Sequence, residues 1–286
     1  MPEGSSARPG AATLVAAVVG SPIRHSLSPA IHNAAFEAAG LDWAFTAFDV
    51  GIADGPAALR GAAALGLRGL SVTMPLKTVL AAEVAELTPR ARLLGAVNTI
   101  TISDGHTLGD SHDGAGFLDA LAAGNGWAAK DQRVVVFGAG GAARAIVAAV
   151  AEAGVAEVIV VNRNAERAAQ AAALGGPAGR VGVPGEVTAA DLVVNATSVG
   201  MTGTDAADRT PFDVDLLRPH HLVAELVYHP LETPLMVAAR KCGASVADGV
   251  GMLVHQAARA FEGWTGYVAP VDVMDAAARA SLVAHA

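Results

Sequence analysis

The stretch Gly138-Ala139-Gly140-Gly141-Ala142-Ala143 constrains this chain more than any other part of it. It follows a short β-branched and aromatic run, Val134-Val135-Val136-Phe137, and precedes an apolar helical segment from Arg144 to Ala153. Strand, glycine turn and helix in that order open a βαβ unit, with the turn at the carboxyl end of a parallel strand. The first glycine permits the tight turn, the second admits a ligand close to the backbone, and Ala143 in the third place keeps helix and strand together. Free N–H groups and the dipole at the helix start favour a phosphate. An ordinary glycine turn in a parallel sheet has the same composition, so the flanking strand and helix carry the inference. They point to dinucleotide binding by Gly138, Ala139, Gly140, Gly141 and Ala142.

A second strand-like run, Val158-Ile159-Val160-Val161, ends at Asn162-Arg163-Asn164. This point lies roughly 20 residues beyond the glycines, where an NAD site carries Asp or Glu on the ribose hydroxyls. No acid stands there in this chain. Arg163 is suited to pair bidentately with a ribose 2′-phosphate, with Asn162 beside it and Arg167 one helical turn on. The expected cofactor is therefore NADP, held at Asn162, Arg163, Asn164 and Arg167. A charge-assisted hydrogen bond of about 1.5–3 kcal/mol corresponds to roughly a 10- to 100-fold preference over NAD. The alternative for Arg163 is a solvated cation at a helix start.

A chain of 286 residues suggests about two domains and a sizeable core. Hydrophobic residues make up 52%, too many for a largely disordered chain. The net charge of −8, with scattered Lys and Arg, argues against a nucleic-acid groove. The single cysteine, Cys242, excludes an intrachain disulfide and fits a reducing compartment, so a cytoplasmic location is expected. No uncharged apolar stretch reaches the roughly 18 residues of a membrane span. The histidines show no spacing for a metal site, and none is expected. Residues 1–11, rich in Gly, Pro and Ser, read as a disordered tail. The apolar run after them reads as a first buried strand ending at Gly20 rather than as a signal peptide.

Strand and helix signals alternate along the chain. Strands are expected at 14–19, 43–50, 69–72, 98–102 and 106–108, with a hairpin turn at Ser103-Asp104-Gly105. Helical patterns fill 29–39, 56–65, 77–86 and 115–123, with Ser28 and Met74 just outside helices whose first turns hold Pro29 and Pro75. The second half continues with strands at 134–137, 158–161, 192–195, 222–225 and 245–247, then helices at 249–264 and 271–282. Such alternation implies parallel sheets covered by helices. Because the glycine turn lies mid-chain, a separate body must form before it. The expected class is α/β: an N-terminal substrate domain of residues 12–113 completed by 249–286, a Rossmann-like NADP-binding domain of 114–248, and a cleft between them.

Four N-terminal segments carry polar groups suited to a small polyhydroxy acid, three of them near expected strand ends. They are Gly20-Ser21-Pro22-Ile23-Arg24-His25-Ser26-Leu27-Ser28-Pro29, Ser71-Val72-Thr73-Met74-Pro75-Leu76-Lys77, Gly95-Ala96-Val97-Asn98-Thr99 and Gly109-Asp110-Ser111-His112-Asp113-Gly114. With the glycine turn, Asn162-Arg163, Asn195-Ala196-Thr197-Ser198, Val227-Tyr228, Pro230-Leu231-Glu232-Thr233-Pro234 and Gly251-Met252-Leu253-Val254-His255-Gln256-Ala257, they make the chain resemble the shikimate dehydrogenase family from about Val18 to Gly266. The resemblance implies NADP-dependent reduction of 3-dehydroshikimate to shikimate, in the route to chorismate and the aromatic amino acids. It implies Ser26 and Ser28 on the substrate carboxylate, and Thr73, Asn98, Asp113, Tyr228 and Gln256 as further substrate contacts. Lys77 and Asp113 would form the catalytic pair, with Leu226, Gly249 and Met252 near the nicotinamide. A protonated lysine suits the charge that hydride addition leaves on a ketone oxygen, and a neighbouring carboxylate suits its orientation. A monomer or homodimer is expected.

Ser71, Ser111, His112 and Asn164 depart from the commoner residues of that family, which bears on substrate identity. Quinate and aminoshikimate remain alternative substrates. His112 reads as a surface histidine beside the site, with contact to a substrate hydroxyl as the alternative. Asp113 reads equally as a helix N-cap. A non-catalytic NADP-binding protein and a different Rossmann enzyme, such as a methyltransferase, stand as further alternatives.

Overall fold

The structure, a computed structural model, describes residues 9–284. Of the expected tail, residues 1–8 lie outside the described residues. Its remainder enters a turn in which the Gly10 N–H donates to Thr13 Oγ1 (2.8 Å) and Thr13 Oγ1 donates to Asp42 (2.7 Å). The chain forms two compact units, one of residues 9–112 with 257–284, the other of residues 113–256.

The first unit runs through β1 (Leu14–Gly20), α1 (Ser28–Ala38), β2 (Trp43–Asp49), α2 (Gly55–Ala64), β3 (Gly69–Val72), α3 (Lys77–Ala81), β4 (Glu86–Leu87), α4 (Pro89–Leu94), β5 (Thr99–Ser103) and β6 (His106–Asp110). The strands form one sheet in the order β2-β1-β3-β5-β6-β4. β1 pairs in parallel with β2 and β3, whereas β5 runs antiparallel to both β3 and β6. Asp104 and Gly105, both at positive φ (49° and 80°), close the β5–β6 hairpin, as the Asp-Gly pair predicts. One face of the sheet buries Ala17, Val19, Leu70, Val72 and Ile100 against Leu59, Leu76 and Leu80.

Three expectations about helix limits in this unit are corrected. The helical pattern over 77–86 ends at Ala81, and Glu86 lies in β4. Tertiary pairing overrides local periodicity there: Ala85 N–H donates to Thr107 Oγ1 at 2.9 Å and Thr88 N–H to the Gly109 carbonyl at 3.0 Å. Thr88 then caps α4, with Pro89 in its first turn. Ser28 lies inside α1 rather than before it, and Pro75 sits in the turn ahead of α3 rather than in its first turn.

The second unit comprises α5 (Asp113–Asn125), β7 (Arg133–Phe137), α6 (Gly141–Glu152), β8 (Glu157–Val161), α7 (Ala165–Ala173), β9 (Gly179–Val181), β10 (Leu192–Asn195), β11 (Leu222–Glu225), α8 (Pro234–Lys241), β12 (Ser245–Ala247) and the start of α9 (Gly249–Thr265). Its strands are all parallel, in the order β12-β11-β10-β7-β8-β9. β7 is central, and the winding reverses between β7 and β10, the doubly wound arrangement that binds ligands at the carboxyl ends of those strands. Successive residues serve opposite cores. Val134, Val136, Val158, Val160 and Val194 pack under α5, α6 and α7, while Val135, Phe137, Ile159 and Val193 pack on the α8 side. This explains why the strands read as unbroken apolar runs. α9 passes from the second unit into the first between residues 256 and 257, and α10 (Val271–Ala284) packs on α1 within the first.

Candidate active site

In the first unit, strand direction gathers four segments along one sheet edge. β1 and β3 end there in parallel, antiparallel β5 begins there, and β6 returns to it, with Ser71 opposite Thr99 and Thr99 opposite Asp110. The segments after Gly20 and Val72, the one ahead of Thr99 and the one after Asp110 therefore share that edge. Backbone hydrogen bonds tie them together: Ser21 N–H to the Met74 carbonyl (3.0 Å), Val72 N–H to Asn98 (2.7 Å), Val97 N–H to Lys77 (2.9 Å) and Asn98 N–H to Asp110 (2.9 Å). Gly20 is required by contact, because a Cβ there would lie 2.7 Å from the Met74 carbonyl oxygen. Ser26 and Ser28 follow on the first segment, linked by Ser28 N–H to Ser26 Oγ at 3.3 Å. Ser28 is buried, whereas Ser26, Thr73 and Lys77 are half-buried. The structure thus brings Ser26, Ser28, Thr73, Lys77 and Asn98 to one edge.

Asn98 is buried, and its Oδ1 accepts from Thr99 Oγ1 at 3.0 Å and from the His112 N–H at 2.8 Å. The orientation of its amide is thereby set from within the protein. His112 is not the surface residue expected. It is buried, with Nδ1 3.3 Å from Thr99 Oγ1 and Nε2 3.1 Å from Asp110 Oδ2. Asp110 is the hub here: Arg90 grips it bidentately, and Thr88 Oγ1 and the Ser111 N–H donate to it at 2.6 and 2.7 Å. Burial works against its charge, but hydrogen bonds from Arg90, His112 and Thr88 outweigh that and hold the carboxyl below the usual carboxylate range. Sequence reasoning missed Arg90 and Thr88 because their partner lies some twenty positions on. The acid directly before Ser111-His112-Asp113 was the available signal.

In the second unit, Asp113 is buried and opens α5. A Cβ on Gly116, one turn along, would lie 2.5 Å from the Gln256 backbone nitrogen, and one on Gly114 would lie 2.4 Å from the Ala145 carbonyl oxygen. These two glycines seat α5 directly on α9 and α6, so Asp113 and Gln256 lie on closely apposed helices. Tyr228 is half-buried in the loop after β11, and burial raises its hydroxyl pKa. Gly249 abuts that loop, since a Cβ on it would sit 2.5 Å from the Leu226 carbonyl oxygen. Met252, on the first turn of α9, packs against the core beneath α5 and α6.

The glycine turn fits a nucleotide by its shape. Gly138 has φ +114°, and a Cβ there would lie 2.7 Å from the Ala196 carbonyl oxygen, so only glycine serves where the sheet order reverses. Gly140 precedes α6 and Gly141 begins it; both are exposed, and nothing lies within 4 Å of where their Cβ atoms would stand. Ala139 and Ala142 are half-buried beside them. After β8, Asn162 Nδ2 donates to the Asn164 carbonyl at 3.0 Å. Asn164 caps α7 by accepting from the Arg167 N–H at 2.9 Å. Arg163 and Arg167 are exposed, and among the described residues neither has an ion-pair partner. Two unneutralised guanidinium groups beside a capped helix start suit a phosphate ester. Among the described residues, no group of three or more His, Cys, Asp or Glu is placed to hold a metal ion, and no helix is long and apolar enough to cross a membrane.

Comparison with known proteins covers both units. Residues 18–100 match the family description "Shikimate dehydrogenase substrate binding domain", residues 120–202 "Shikimate / quinate 5-dehydrogenase", and residues 249–279 "Shikimate 5'-dehydrogenase C-terminal domain". The chain is 44% identical over 282 residues to the shikimate dehydrogenase (NADP(+)) of Moorella thermoacetica, covering 95% of each chain. Among solved structures it is similar to a shikimate dehydrogenase in complex with NADP+ (TM-score 0.91, 36% identity, 96% of this chain and 98% of that one). It is also similar to shikimate 5-dehydrogenase from Thermus thermophilus in complex with NADP(H) and shikimate (TM-score 0.88, 38% identity, 94% and 100%).

Proposed function

Because this chain belongs to the shikimate dehydrogenase family, we propose that it catalyses the reversible, NADP-dependent reduction of 3-dehydroshikimate to shikimate. The observation that carries the reading is the gathering of Ser26, Ser28, Thr73, Lys77 and Asn98 on one sheet edge, on segments bonded to one another. A small ring acid with several hydroxyls matches that set of hydroxyl, amide and ammonium groups. Ser26 and Ser28 take its carboxylate, and Thr73, Asn98, Asp113, Tyr228 and Gln256 take its hydroxyls. Gly138 to Ala142 take the pyrophosphate, Asn162, Arg163, Asn164 and Arg167 the 2′-phosphate end, and Leu226, Gly249 and Met252 the nicotinamide end.

NADPH supplies the hydride when bound. Lys77, as ammonium, stabilises the negative charge that develops on the ketone oxygen and donates the proton that makes it a hydroxyl. Asp113 orients that ammonium and the hydroxyl. In the reverse direction Lys77 receives the hydroxyl proton. With its lone Cys242, the chain suits a reducing compartment, and we place it in the cytoplasm.

Absorbance at the NADPH band, with shikimate or quinate and with NADP or NAD, tests the reading. Shikimate with NADP is expected to be the fastest pair. Faster oxidation of quinate, or no oxidation of shikimate, would overturn it. Arg163→Ala is expected to weaken NADP roughly 10- to 100-fold, the loss of one charge-assisted hydrogen bond, with little effect on NAD. Steady-state KM values for the two cofactors check this, and equal losses would remove the 2′-phosphate contact.

A further inference from the structure

The carboxyl ends of β10 and β11 hold a buried acid that the chemistry above does not use. Glu225 and Asn195 are register partners on adjacent parallel strands, so their side chains leave the sheet on one face, and both are buried. Asn195 Nδ2 donates to both Glu225 oxygens, at 2.9 and 3.0 Å. The Val227 N–H donates to Oε1 and Thr233 Oγ1 to Oε2, each at 3.0 Å. The other side of Asn195 is equally engaged: Oδ1 accepts from the Thr197 N–H and hydroxyl at 3.1 and 2.7 Å, and Nδ2 also reaches the Val199 carbonyl at 3.0 Å. Two side chains therefore hold three pieces of backbone: the loop after β10, the loop after β11 and the start of α8.

The first of these loops touches the glycine turn, because Ala196 is the residue that excludes a Cβ from Gly138. The second carries Leu226 and Tyr228 and meets Gly249. Glu225 thus anchors the backbone on which the nicotinamide-facing and substrate-facing residues sit, while Arg163 and Arg167 lie at the end of a different strand. Among the described residues, no cation appears among its partners. Burial raises its carboxyl pKa, and hydrogen bonds from Asn195, Val227, Thr233 and Leu226 oppose that rise. A buried acid without a cation is costly unless its acceptors are needed. Here both oxygens accept from Asn195 at the end of β10, and each takes one further donor, the Val227 N–H in the loop after β11 or the Thr233 hydroxyl at the start of α8.

We propose that Glu225 is a positioning residue for hydride transfer: it fixes the 226–228 loop through the Val227 N–H, so that its loss slows turnover without loosening the 2′-phosphate end. The proposal rests on the reading of the site given above. Glu225→Leu keeps comparable bulk and removes every acceptor. Glu225→Gln retains one oxygen for the Val227 N–H, while the Thr233 hydroxyl is free to turn and accept from the new amide. Glu225→Leu is expected to lower kcat about 10- to 100-fold, the cost of a misplacement on the order of 1 Å. Its affinity for adenosine 2′,5′-bisphosphate, which brings the 2′-phosphate to the Arg163 end and lacks the nicotinamide half of the cofactor, should stay within about twofold of wild type. Glu225→Gln should recover most of the lost turnover. Hydrogen exchange of the Val227 amide should quicken in Glu225→Leu and return in Glu225→Gln. Should Glu225→Leu fail to fold, Glu225→Asp takes its place, because the shorter side chain draws the carboxylate away from Val227, and the same split between kcat and bisphosphate affinity is expected. An unchanged kcat, or bisphosphate affinity falling in step with kcat, would overturn the positioning role. A wild-type enzyme inactive on shikimate would instead overturn the functional reading, and unchanged Val227 exchange in Glu225→Leu would still count against Glu225 on its own.

Discussion

Lys77→Ala is expected to lower turnover by about 10²–10⁴-fold, with only a modest change in substrate KM. In energy this is about 3–5 kcal/mol of lost transition-state stabilisation, the scale of a positioned proton donor together with its charge. The fold should tolerate the change. Lys77 is half-buried at the first position of α3, and its backbone carbonyl accepts from the Val97 N–H at 2.9 Å. Alanine retains that carbonyl and is a good helix former. The loss should therefore appear in kcat and in kcat/KM together, as for a group that acts mainly in the transition state. Steady-state kinetics on folded Lys77→Ala decide the matter, and near-normal turnover would remove Lys77 from the chemistry.

The second large effect concerns stability. His32 lies on α1 with no exposed surface, its ring stacked on Phe45 (centroids 4.4 Å, 14° between planes) and 5.1 Å from Trp264. Neither ring nitrogen has a hydrogen-bond partner, and burial lowers its pKa from 6.5 to about 3. The folded protein therefore keeps this imidazole neutral, while the unfolded chain protonates it below pH 6.5. Between those two values the unfolded state binds more protons, so stability falls as pH falls. The stabilisation is fully present above about pH 6.5, and about 2 kcal/mol of it is lost by pH 5 through this one group. His32→Phe, which keeps an aromatic ring in the cage and removes the two unpaired nitrogens, should be at least as stable as wild type near pH 7. Denaturant unfolding of both proteins from pH 7.5 to 4.5 should give curves that diverge by about 2 kcal/mol at pH 5, the variant being the flatter. Parallel curves would show that His32 does not contribute to acid sensitivity.

Much of this molecule can be read locally. The apolar runs at 134–137, 158–161, 192–195 and 222–225 are strands of one parallel sheet, because a strand covered on both faces has no polar side to interrupt it. Asp104-Gly105 marks its hairpin because only residues tolerant of positive φ close so tight a turn. The segments carrying Ser26, Thr73 and Lys77 announce themselves as polar groups after apolar strands, and that of Asn98 as polar groups just ahead of one. What could not be read depends on partners remote in the chain. The pattern over 77–86 continues as a helix on paper, yet Thr107 and Gly109 claim its last turn for β4. A histidine beside an aspartate, at 112, has a surface residue's sequence signature until Asn98, Thr99 and Asp110 enclose it.

The sequence by itself determined the α/β class, the two bodies' worth of alternating elements, the glycine turn and the absence of an acid where a ribose diol would need one. These depend on periodicity, turn chemistry and spacing, all of which act over a few residues. Only the tertiary structure decided that four N-terminal segments share one sheet edge, that Arg90 and Asp110 brace His112 and Asn98, and that Glu225 with Asn195 ties the loops beyond β10 and β11. Those arrangements depend on strand direction and register, and on which buried polar groups find each other. A buried donor or acceptor must be paired by whatever residue the fold brings alongside, however distant it is in the chain.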